Sequence, residues 1–351
     1  MSIPNHAQDA QDRYFMMLAI EQAKQGLYTT RPNPAVGCVI VQAERVVGQG
    51  FHPKAGQPHA EVFALKDAGV KAVNATAYVT LEPCSHTGRT PPCAQALIES
   101  GVKRVVIAGL DPNPQVAGRG VRLLQDAGIA VTVGVLTQQA EALNRGFLKA
   151  MRTQMPYVRL KIATSLDGRT AMANGESKWI TSAAAREDVQ KIRAQSGAII
   201  TGSETVIADN PQLNVRSQQL GVSAEQIPMP MVVVLDRRQR LAHDPQSDYQ
   251  LCRSPDTMYW REDDLTVLLK SLVNEYQCYD VLVEAGASVA GSFLSQQLVD
   301  ELIVYQAPCL LGAKARTMVD FHPLSLAQQL RFNVQNHESL GRDIKLTLSP
   351  L

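Results

Sequence analysis

The residues with the clearest chemical use are a histidine, two cysteines and a glutamate in the first third of the sequence. They are His59 and Glu61, then Cys84 in a Pro-Cys pair, then Cys93. One imidazole and two thiolates suit Zn²⁺, and three protein ligands leave a fourth position for water. Zn²⁺ lowers the pKa of such a water, and a nearby glutamate can pass its proton to a departing amine. The pattern predicts a catalytic zinc site with His59, Cys84 and Cys93 as ligands and Glu61 as the proton carrier.

Two other histidines are alternative ligands for this site. His52 lies shortly before His59, and His86 lies between the two cysteines, where it would close the coordination shell. A shell closed by a fourth protein ligand is typical of a structural zinc site, which has no use for Glu61. Cys38 falls within an apolar run and is predicted to pack in the core. The remaining cysteines show no partner pattern, and they are Cys252, Cys278 and Cys309.

Alternating strand and helix signals position these residues. A helix predicted over residues 61–68 begins beside His59, and a strand predicted over residues 76–81 leads towards Cys84. A single helix is expected over residues 138–151. Strands separated by helices of this length favour an α/β fold in which helices cover both faces of a sheet.

Chain length and a proline predict two domains. At about 150 residues per domain, 351 residues make two domains the simplest division. Pro156 should end the preceding helix, so we place the boundary there, with a first domain over residues 1–152 and a second over residues 156–351. The second domain again alternates strands and helices. Residues 237–280 are expected to hold loops and one helix, over residues 264–275.

Composition excludes several classes of protein. Lys and Arg number 34 against 33 Asp and Glu, a formal net charge of +1, which argues against nucleic acid as the main partner. The apolar runs are strand-sized, so we expect no membrane span, and we expect a cytoplasmic protein. Six cysteines are too few for a disulfide scaffold in a chain of this length.

The zinc pattern resembles the zinc deaminases of pyrimidines and adenine, whose signature is His-x-Glu followed by Pro-Cys-x-x-Cys. Here residues 85–92 separate the cysteines, a spacing that is instead similar to the deaminase half of bifunctional riboflavin-biosynthesis enzymes. The motifs at residues 31–37 and 111–114 resemble that half too. The resemblance implies a cytidine-deaminase-like three-layer α/β/α domain in which Asn33 holds the pyrimidine through its amide. The alternative for Asn33 is a turn between two prolines.

The second domain resembles the reductase half of the same enzymes. The matching segments lie at residues 161–170, 177–181, 201–213, 283–286 and 298–308. The resemblance implies a dihydrofolate-reductase-like α/β domain that uses NADPH. It places the cofactor contacts on Ala163, Ser165, Trp179, Thr205, Asp209, Gly286, Ala287, Ser288, Val289, Ala290, Gly291 and Ser292. It places the substrate contacts on Ser177, Arg193, Leu213, Arg216 and Glu284.

The residues alone support this reductase site less sharply. The glycine-containing turn at residues 286–292 follows a strand and opens a helix, so its N–H groups can receive a pyrophosphate, although a plain turn is the alternative. Arg193 and Arg216 are suited to a 5′-phosphate, although an arginine on a helix is more often a solvated charge. Lys161 and Asp209 are candidates to steer or protonate a ring-opened sugar.

Together the two resemblances imply two reactions on a small phosphorylated pyrimidine. Zinc-dependent deamination of 2,5-diamino-6-(5-phosphoribosylamino)pyrimidin-4(3H)-one comes first, and NADPH-dependent reduction of the ribosyl group to ribityl follows. The resemblance also implies a homo-oligomer, a dimer or tetramer. The rival interpretations are a deaminase that edits tRNA or nucleosides, which long cysteine spacing and neutral charge disfavour, and a non-catalytic zinc-stabilised binding module.

Overall fold

The structure is a computed structural model that describes residues 6–85, 92–113 and 116–351. The chain divides into two compact units, Met1–Thr153 and Gln154–Leu351. This division lies close to Pro156, where the sequence predicts the domain boundary. Within the described segments, no helix has the length and apolar character that crossing a bilayer requires.

A five-stranded sheet forms the centre of the first unit. The helices and strands of this unit are α1 (His6–Lys24), β1 (Gly37–Gln42), β2 (Arg45–Phe51), α2 (Ala60–Ala68), β3 (Thr76–Val79), α3 (Cys93–Glu99), β4 (Arg104–Ile107), α4 (Arg119–Asp126), β5 (Ala130–Val133), α5 (Thr137–Glu141) and α6 (Arg145–Thr153). The strand order is β2-β1-β3-β4-β5. Strand β1 runs antiparallel to β2 and β3, whereas β3, β4 and β5 are parallel.

Helices cover both faces of this sheet, as the alternating pattern predicts. On one face, Phe15 and Met16 of α1 pack with Val39 and Tyr78 of the strands. On the other face, residues of α2, α3 and α4 pack against alternate residues of the same strands, and Cys38 is buried among them. Because side chains alternate along a strand, neighbouring residues of β1 serve the two cores.

Glycines in β2 let helix α2 lie close to the sheet. A Cβ atom on Gly50 would lie 2.7 Å from the carbonyl oxygen of Ala60, and one on Gly48 would lie 2.3 Å from that of Ala64. Neither contact is tolerable, so the close approach requires residues without a side chain. The start of α2, which carries His59 and Glu61, is therefore held firmly against the sheet.

An eight-stranded sheet forms the centre of the second unit. Its elements are β6 (Tyr157–Ser165), β7 (Arg169–Ala171), α7 (Ala183–Gln195), β8 (Ala198–Gly202), α8 (Ser203–Asp209), β9 (Met231–Leu235), α9 (Gln250–Arg253), β10 (Thr257–Trp260), α10 (Leu265–Asn274), β11 (Asp280–Val283), α11 (Ala287–Ser295), β12 (Glu301–Ala307), β13 (Arg316–Thr317), β14 (Phe332–Leu340) and β15 (Asp343–Pro350). The strand order is β10-β9-β8-β11-β6-β12-β15-β14, and β7 pairs separately with β13.

Most of this large sheet is parallel. The strands from β10 to β12 run parallel to their neighbours, whereas β15 is antiparallel to β12 and β14 is antiparallel to β15. Helices α10 and α11 pack on one face through Leu268 and Phe293. Helix α7 packs on the other face through Val189 and Ile192. The carboxyl ends of β6, β8 and β11 therefore meet at one edge, between the two helical layers.

The single helix predicted over residues 138–151 is wrong, because two helices, α5 and α6, occupy this segment. The break lies at Asn144, which is buried. Its side-chain oxygen accepts a hydrogen bond from the Ala35 N–H (2.7 Å), and its side-chain nitrogen donates to the Ala35 carbonyl oxygen (2.9 Å). This pair of bonds fixes Asn144 at the junction between α5 and α6.

The prediction for residues 237–280 is partly confirmed. Helix α10 lies where a helix is expected, and the Asp264 side chain caps it by accepting from the N–H groups of Thr266 and Val267. The segment also contains α9 and the edge strand β10, which the sequence does not predict. The C-terminal hairpin β14–β15 was not predicted either, because the residues of β14 are mostly polar and exposed on both faces.

We expect Asn144→Ala to destabilise the first unit by about 2–4 kcal/mol, because it leaves the buried N–H and carbonyl groups of Ala35 without partners. Urea unfolding followed by far-UV circular dichroism measures the loss. Gln95→Ala is the control, since it removes one exposed hydrogen bond to Glu99 and should change stability by less than about 0.5 kcal/mol. Equal effects of the two substitutions would contradict this account of the helix break.

Candidate active sites

The three predicted zinc ligands lie together in the first unit. His59 is the N-cap residue of α2, Cys84 lies in the loop after β3, and Cys93 is the first residue of α3. The Nδ1 atom of His59 is 3.6 Å from Cys84 Sγ and 3.3 Å from Cys93 Sγ. All three donor atoms lie within 4.8 Å of one another. Tetrahedral zinc holds neighbouring donors about 3.5–3.8 Å apart, so this donor set fits Zn²⁺.

The surroundings of the Cys84 thiol favour its ionised form. Hydrogen bonding to Cys93 and to His59 lowers the pKa of the Cys84 thiol despite its burial. The backbone N–H of Cys93 also donates to Cys84 Sγ at 3.3 Å. Cys84 is therefore prepared as a thiolate, which is the form that binds a metal.

His52 does not join this group, so the interpretation of His52 as a zinc ligand is wrong. Its Nδ1–H donates to the carbonyl oxygen of Pro58, and its Nε2 accepts from the side-chain amide of Asn33, both at 3.0 Å. Burial lowers the pKa of His52, which keeps the ring neutral and suits one donating and one accepting nitrogen. His52 therefore orients Asn33, and the centre of its own ring lies 5.2 Å from that of the His59 ring. The other alternative ligand, His86, lies outside the described residues.

Glu61 lies in the first turn of α2 and is only 3% exposed. Its Oε2 atom has no hydrogen-bond partner among the described residues. Burial raises the pKa of Glu61 to about 7, against the opposing effect of His59. A carboxyl group that titrates near neutrality can both accept and release a proton. This unpartnered buried oxygen beside one imidazole and two thiol donors fits a catalytic metal centre better than a structural one.

The second unit contains a cavity of about 660 Å³ at the edge where β6, β8 and β11 end. Most of the predicted reductase residues line it. The cofactor candidates in its wall are Ala163, Trp179, Thr205, Asp209, Gly286, Ala287, Ser288 and Val289, and the substrate candidates are Ser177, Arg193, Leu213, Arg216 and Glu284. Lys161 lines it as well.

Four predicted cofactor residues are not among the described residues that line this cavity: Ser165, Ala290, Gly291 and Ser292. Ser165 bonds to Asp167 and accepts from the N–H of Arg169 in the turn after β6. A Cβ atom on Gly291 would lie 1.9 Å from the carbonyl oxygen of Asp320, so packing accounts for this glycine. Only the first turn of α11 therefore faces the cavity.

A buried ion cluster lies in the wall of the cavity. Glu284 accepts two hydrogen bonds from Arg193, at 2.6 and 3.0 Å, and its carboxylate is 3.6 Å from Lys161 Nζ. Burial raises the pKa of Glu284, but the charges of Arg193 and Lys161 outweigh it and lower the pKa to about 2. Arg193 is 8% exposed, so its interpretation as a solvated surface charge is wrong.

Arg216 is the more available of the two arginines. Its guanidinium donates one hydrogen bond, to the side-chain oxygen of Asn214. Arg193 instead donates two hydrogen bonds to Glu284 and a third to the Asn214 carbonyl oxygen. Ser177 donates to the carboxylate of Asp209 across the same cavity. Sequence reasoning missed the Arg193–Glu284 pair, because the partners are far apart in the chain and no local pattern joins them.

Two family models match the chain. The model described as the cytidine and deoxycytidylate deaminase zinc-binding region matches residues 9–109, and the model of the RibD C-terminal domain matches residues 156–346. The riboflavin biosynthesis protein RibD of Haemophilus influenzae is 50% identical over 97% of this chain and 98% of its own length. The chain belongs to the RibD family. The Escherichia coli RibD protein is 48% identical, over 96% of this chain and 99% of its own.

Solved structures of RibD proteins share the fold. Acinetobacter baumannii RibD, form 1, is 54% identical with a TM-score of 0.93, covering 98% of this chain and 99% of its own. A Thermotoga maritima structure described as a diaminohydroxyphosphoribosylaminopyrimidine deaminase/5-amino-6-(5-phosphoribosylamino)uracil reductase is 33% identical with a TM-score of 0.87, covering 98% and 100%. The expectation of a cytidine-deaminase-like unit followed by a dihydrofolate-reductase-like unit is confirmed. This member of the family is a deaminase and a reductase of riboflavin biosynthesis, and its first unit carries a zinc-binding region.

We expect Glu284→Gln to destabilise the second unit by about 3 kcal/mol at pH 7, since the pKa of Glu284 falls from 4.5 to about 2 on folding. A lowered pKa stabilises the fold above the unfolded value, and this contribution disappears as the pH falls from about 4.5 to about 2. The difference between wild type and variant should shrink over that range. Fluorescence of Trp179 and Trp260, both in the second unit, reports the unfolding.

The control for this experiment is Glu204→Gln, which removes an exposed pair with Arg240. Exposed pairs contribute at most about 1 kcal/mol, so its effect should be small at every pH. A difference for Glu284→Gln that stays constant from pH 6 to pH 2 would contradict the coupling to Arg193 and Lys161.

Proposed function

We propose that this chain deaminates 2,5-diamino-6-(5-phosphoribosylamino)pyrimidin-4(3H)-one and then reduces the ribosyl group of 5-amino-6-(5-phosphoribosylamino)uracil to ribityl. The first reaction belongs to residues 1–152 and the second to residues 156–351. The observation that carries the proposal is Glu61, a buried carboxyl group with an unpartnered oxygen beside the donors His59, Cys84 and Cys93. The activities named for the T. maritima relative support the choice of substrates.

In the deaminase site, His59, Cys84 and Cys93 would hold Zn²⁺, which would supply Lewis-acid activation of a water molecule. Glu61 takes a proton from the attacking water and delivers it to the departing amine, so ammonia leaves and the carbon gains an oxygen. Asn33, fixed by its hydrogen bond to His52, presents its amide to the edge of the pyrimidine.

In the reductase site, the cavity of the second unit would hold NADPH, which would supply the hydride for reduction at C1′ of the opened sugar. Residues 286–289 at the start of α11 line the cavity, and the first N–H groups of a helix suit the cofactor's phosphates. Arg216 binds the 5′-phosphate of the substrate, because Arg193 is already committed to Glu284. Glu284 stays a carboxylate, and Lys161 beside it is the group placed to donate towards the sugar oxygen.

The substrate in this proposal is a free small molecule, and nucleic acid is not a partner. The net charge of +1 is consistent with this choice. The homo-oligomer, a dimer or tetramer, and the cytoplasmic location stay predictions, as do cofactor contacts at Ser165, Ala290, Gly291 and Ser292.

Glu61→Gln should lower the rate of ammonia release about a hundredfold or more, because the amide cannot accept and release a proton as the carboxyl group does. The variant should keep its zinc and should still oxidise NADPH when the deaminated intermediate is supplied. Ammonia release, metal content and NADPH absorbance measure the three properties separately. Glu99→Gln, an exposed change on α3, is the control and should leave all three unchanged. Ammonia release at the wild-type rate would refute the assignment of Glu61.

Arg216→Ala should raise the KM of the reductase for its phosphorylated substrate roughly tenfold to a hundredfold. This factor corresponds to the binding free energy that one hydrogen bond to a charged group contributes. The KM for a dephosphorylated analogue should not change. Arg253→Ala, an exposed change on α9, is the control. A rise in KM that is equal for both substrates would show that Arg216 does not read the phosphate.

A further inference from the structure

Glu82 is a buried carboxylate that immediately precedes the Pro83-Cys84 pair. It is 4% exposed, and its two oxygen atoms accept four backbone hydrogen bonds. Oε2 accepts from the N–H groups of Asp111 (3.3 Å) and Gly118 (3.0 Å), and Oε1 accepts from those of Gly120 (3.0 Å) and Val121 (3.3 Å). A side chain two residues before a metal ligand thus holds the backbone at the start of α4.

The negative charge of the Glu82 carboxylate is stabilised by backbone N–H groups. Among the described residues Glu82 forms no ion pair with a Lys or Arg side chain, and its partners instead cluster at the start of α4 (Arg119–Asp126). The first N–H groups of a helix lack partners within it, and the helix dipole favours negative charge there. Glu82 therefore satisfies N–H groups that would otherwise be buried without acceptors.

The main chain of the next residue contacts the same turn of α4. A Cβ atom on Gly120 would lie 2.0 Å from the carbonyl oxygen of Pro83, so only glycine allows this approach. The backbone N–H of Glu82 also donates to the Gly109 carbonyl oxygen at 3.0 Å. The chain is therefore fixed on both sides of the peptide bond between Glu82 and Pro83, one residue before Cys84.

We propose that Glu82 is a positioning residue for the zinc centre. It anchors the Pro83-Cys84 turn on the first turn of α4 and so holds Cys84 Sγ opposite His59 and Cys93 before the metal binds. Glu82 itself does not touch the metal. Metal ligands held in place by their neighbours bind more tightly, and loss of such a neighbour typically costs about 10–100-fold in metal affinity. The inference rests on the zinc site of the proposed function.

The test is the zinc affinity of the full chain, measured by competition with a chromophoric chelator. Glu82→Gln is nearly isosteric, but its NH₂ group cannot accept from the N–H groups that one carboxylate oxygen now serves. We expect its zinc Kd to rise about 10–100-fold. Gly120→Ala perturbs the same turn from the other side with Glu82 intact, and it should raise the Kd too. Glu82→Asp keeps the charge and should restore part of the affinity.

Asp12→Asn is the matched control. Asp12 is also a buried carboxylate of the first unit, but it accepts from Arg104 and Tyr78 on the opposite face of the sheet. Its substitution should lower the melting temperature of the metal-free protein without changing the zinc Kd. An unchanged Kd in both Glu82→Gln and Gly120→Ala would overturn the proposal and leave Glu82 a purely structural residue. Failure of the wild-type protein to bind zinc would instead refute the proposed function itself.

Discussion

The close approach of His59, Cys84 and Cys93 is the constraint on which the first unit depends. His59 lies at the end of the connection from β2 to α2, and the two cysteines come from the connection from β3 to α3 and its end, so these two connections must bring the three donor atoms within 4.8 Å of one another. Packing makes this convergence possible, because Gly48 and Gly50 let α2 lie directly on β2. The same packing buries Glu61 and raises its pKa to about 7. One arrangement thus gathers the ligands and tunes the proton carrier.

In the second unit, the main constraint is a cluster of buried charges beside the cavity. Glu284, Arg193 and Lys161 carry charges into the wall of a cavity at the carboxyl edge of a mostly parallel sheet. Burying a charge is costly unless it is paired, and the bidentate Arg193–Glu284 contact provides that pairing. Because its pKa is about 2, Glu284 acts as a fixed negative charge and cannot serve as the acid of the reduction. The groups that remain available to bind phosphate are those that do not pair with Glu284, namely Arg216 and the N–H groups at the start of α11.

Local patterns in the sequence predicted the parts of the molecule that are local in the chain. The spacing of His59, Glu61 and Cys84 follows one helix start and one strand end, and the α/β alternation is visible in the apolar runs. The errors arise where a partner is distant. Asn144 breaks a helix because of Ala35, 109 positions earlier, and Arg193 is drawn out of solvent by Glu284, 91 positions later. Nothing in a window of neighbouring residues encodes either contact.

The predicted cofactor run at residues 286–292 shows a related limit. A motif carried over from a family is a stretch of sequence, but only the first turn of a helix that begins at a cavity lies close enough to contact a ligand there. Here Gly286, Ala287, Ser288 and Val289 face the cavity, whereas Gly291 packs against the backbone of Asp320. A glycine kept for close packing and a glycine kept for phosphate binding look alike in a sequence. Only the position of the helix on its sheet separates the two roles.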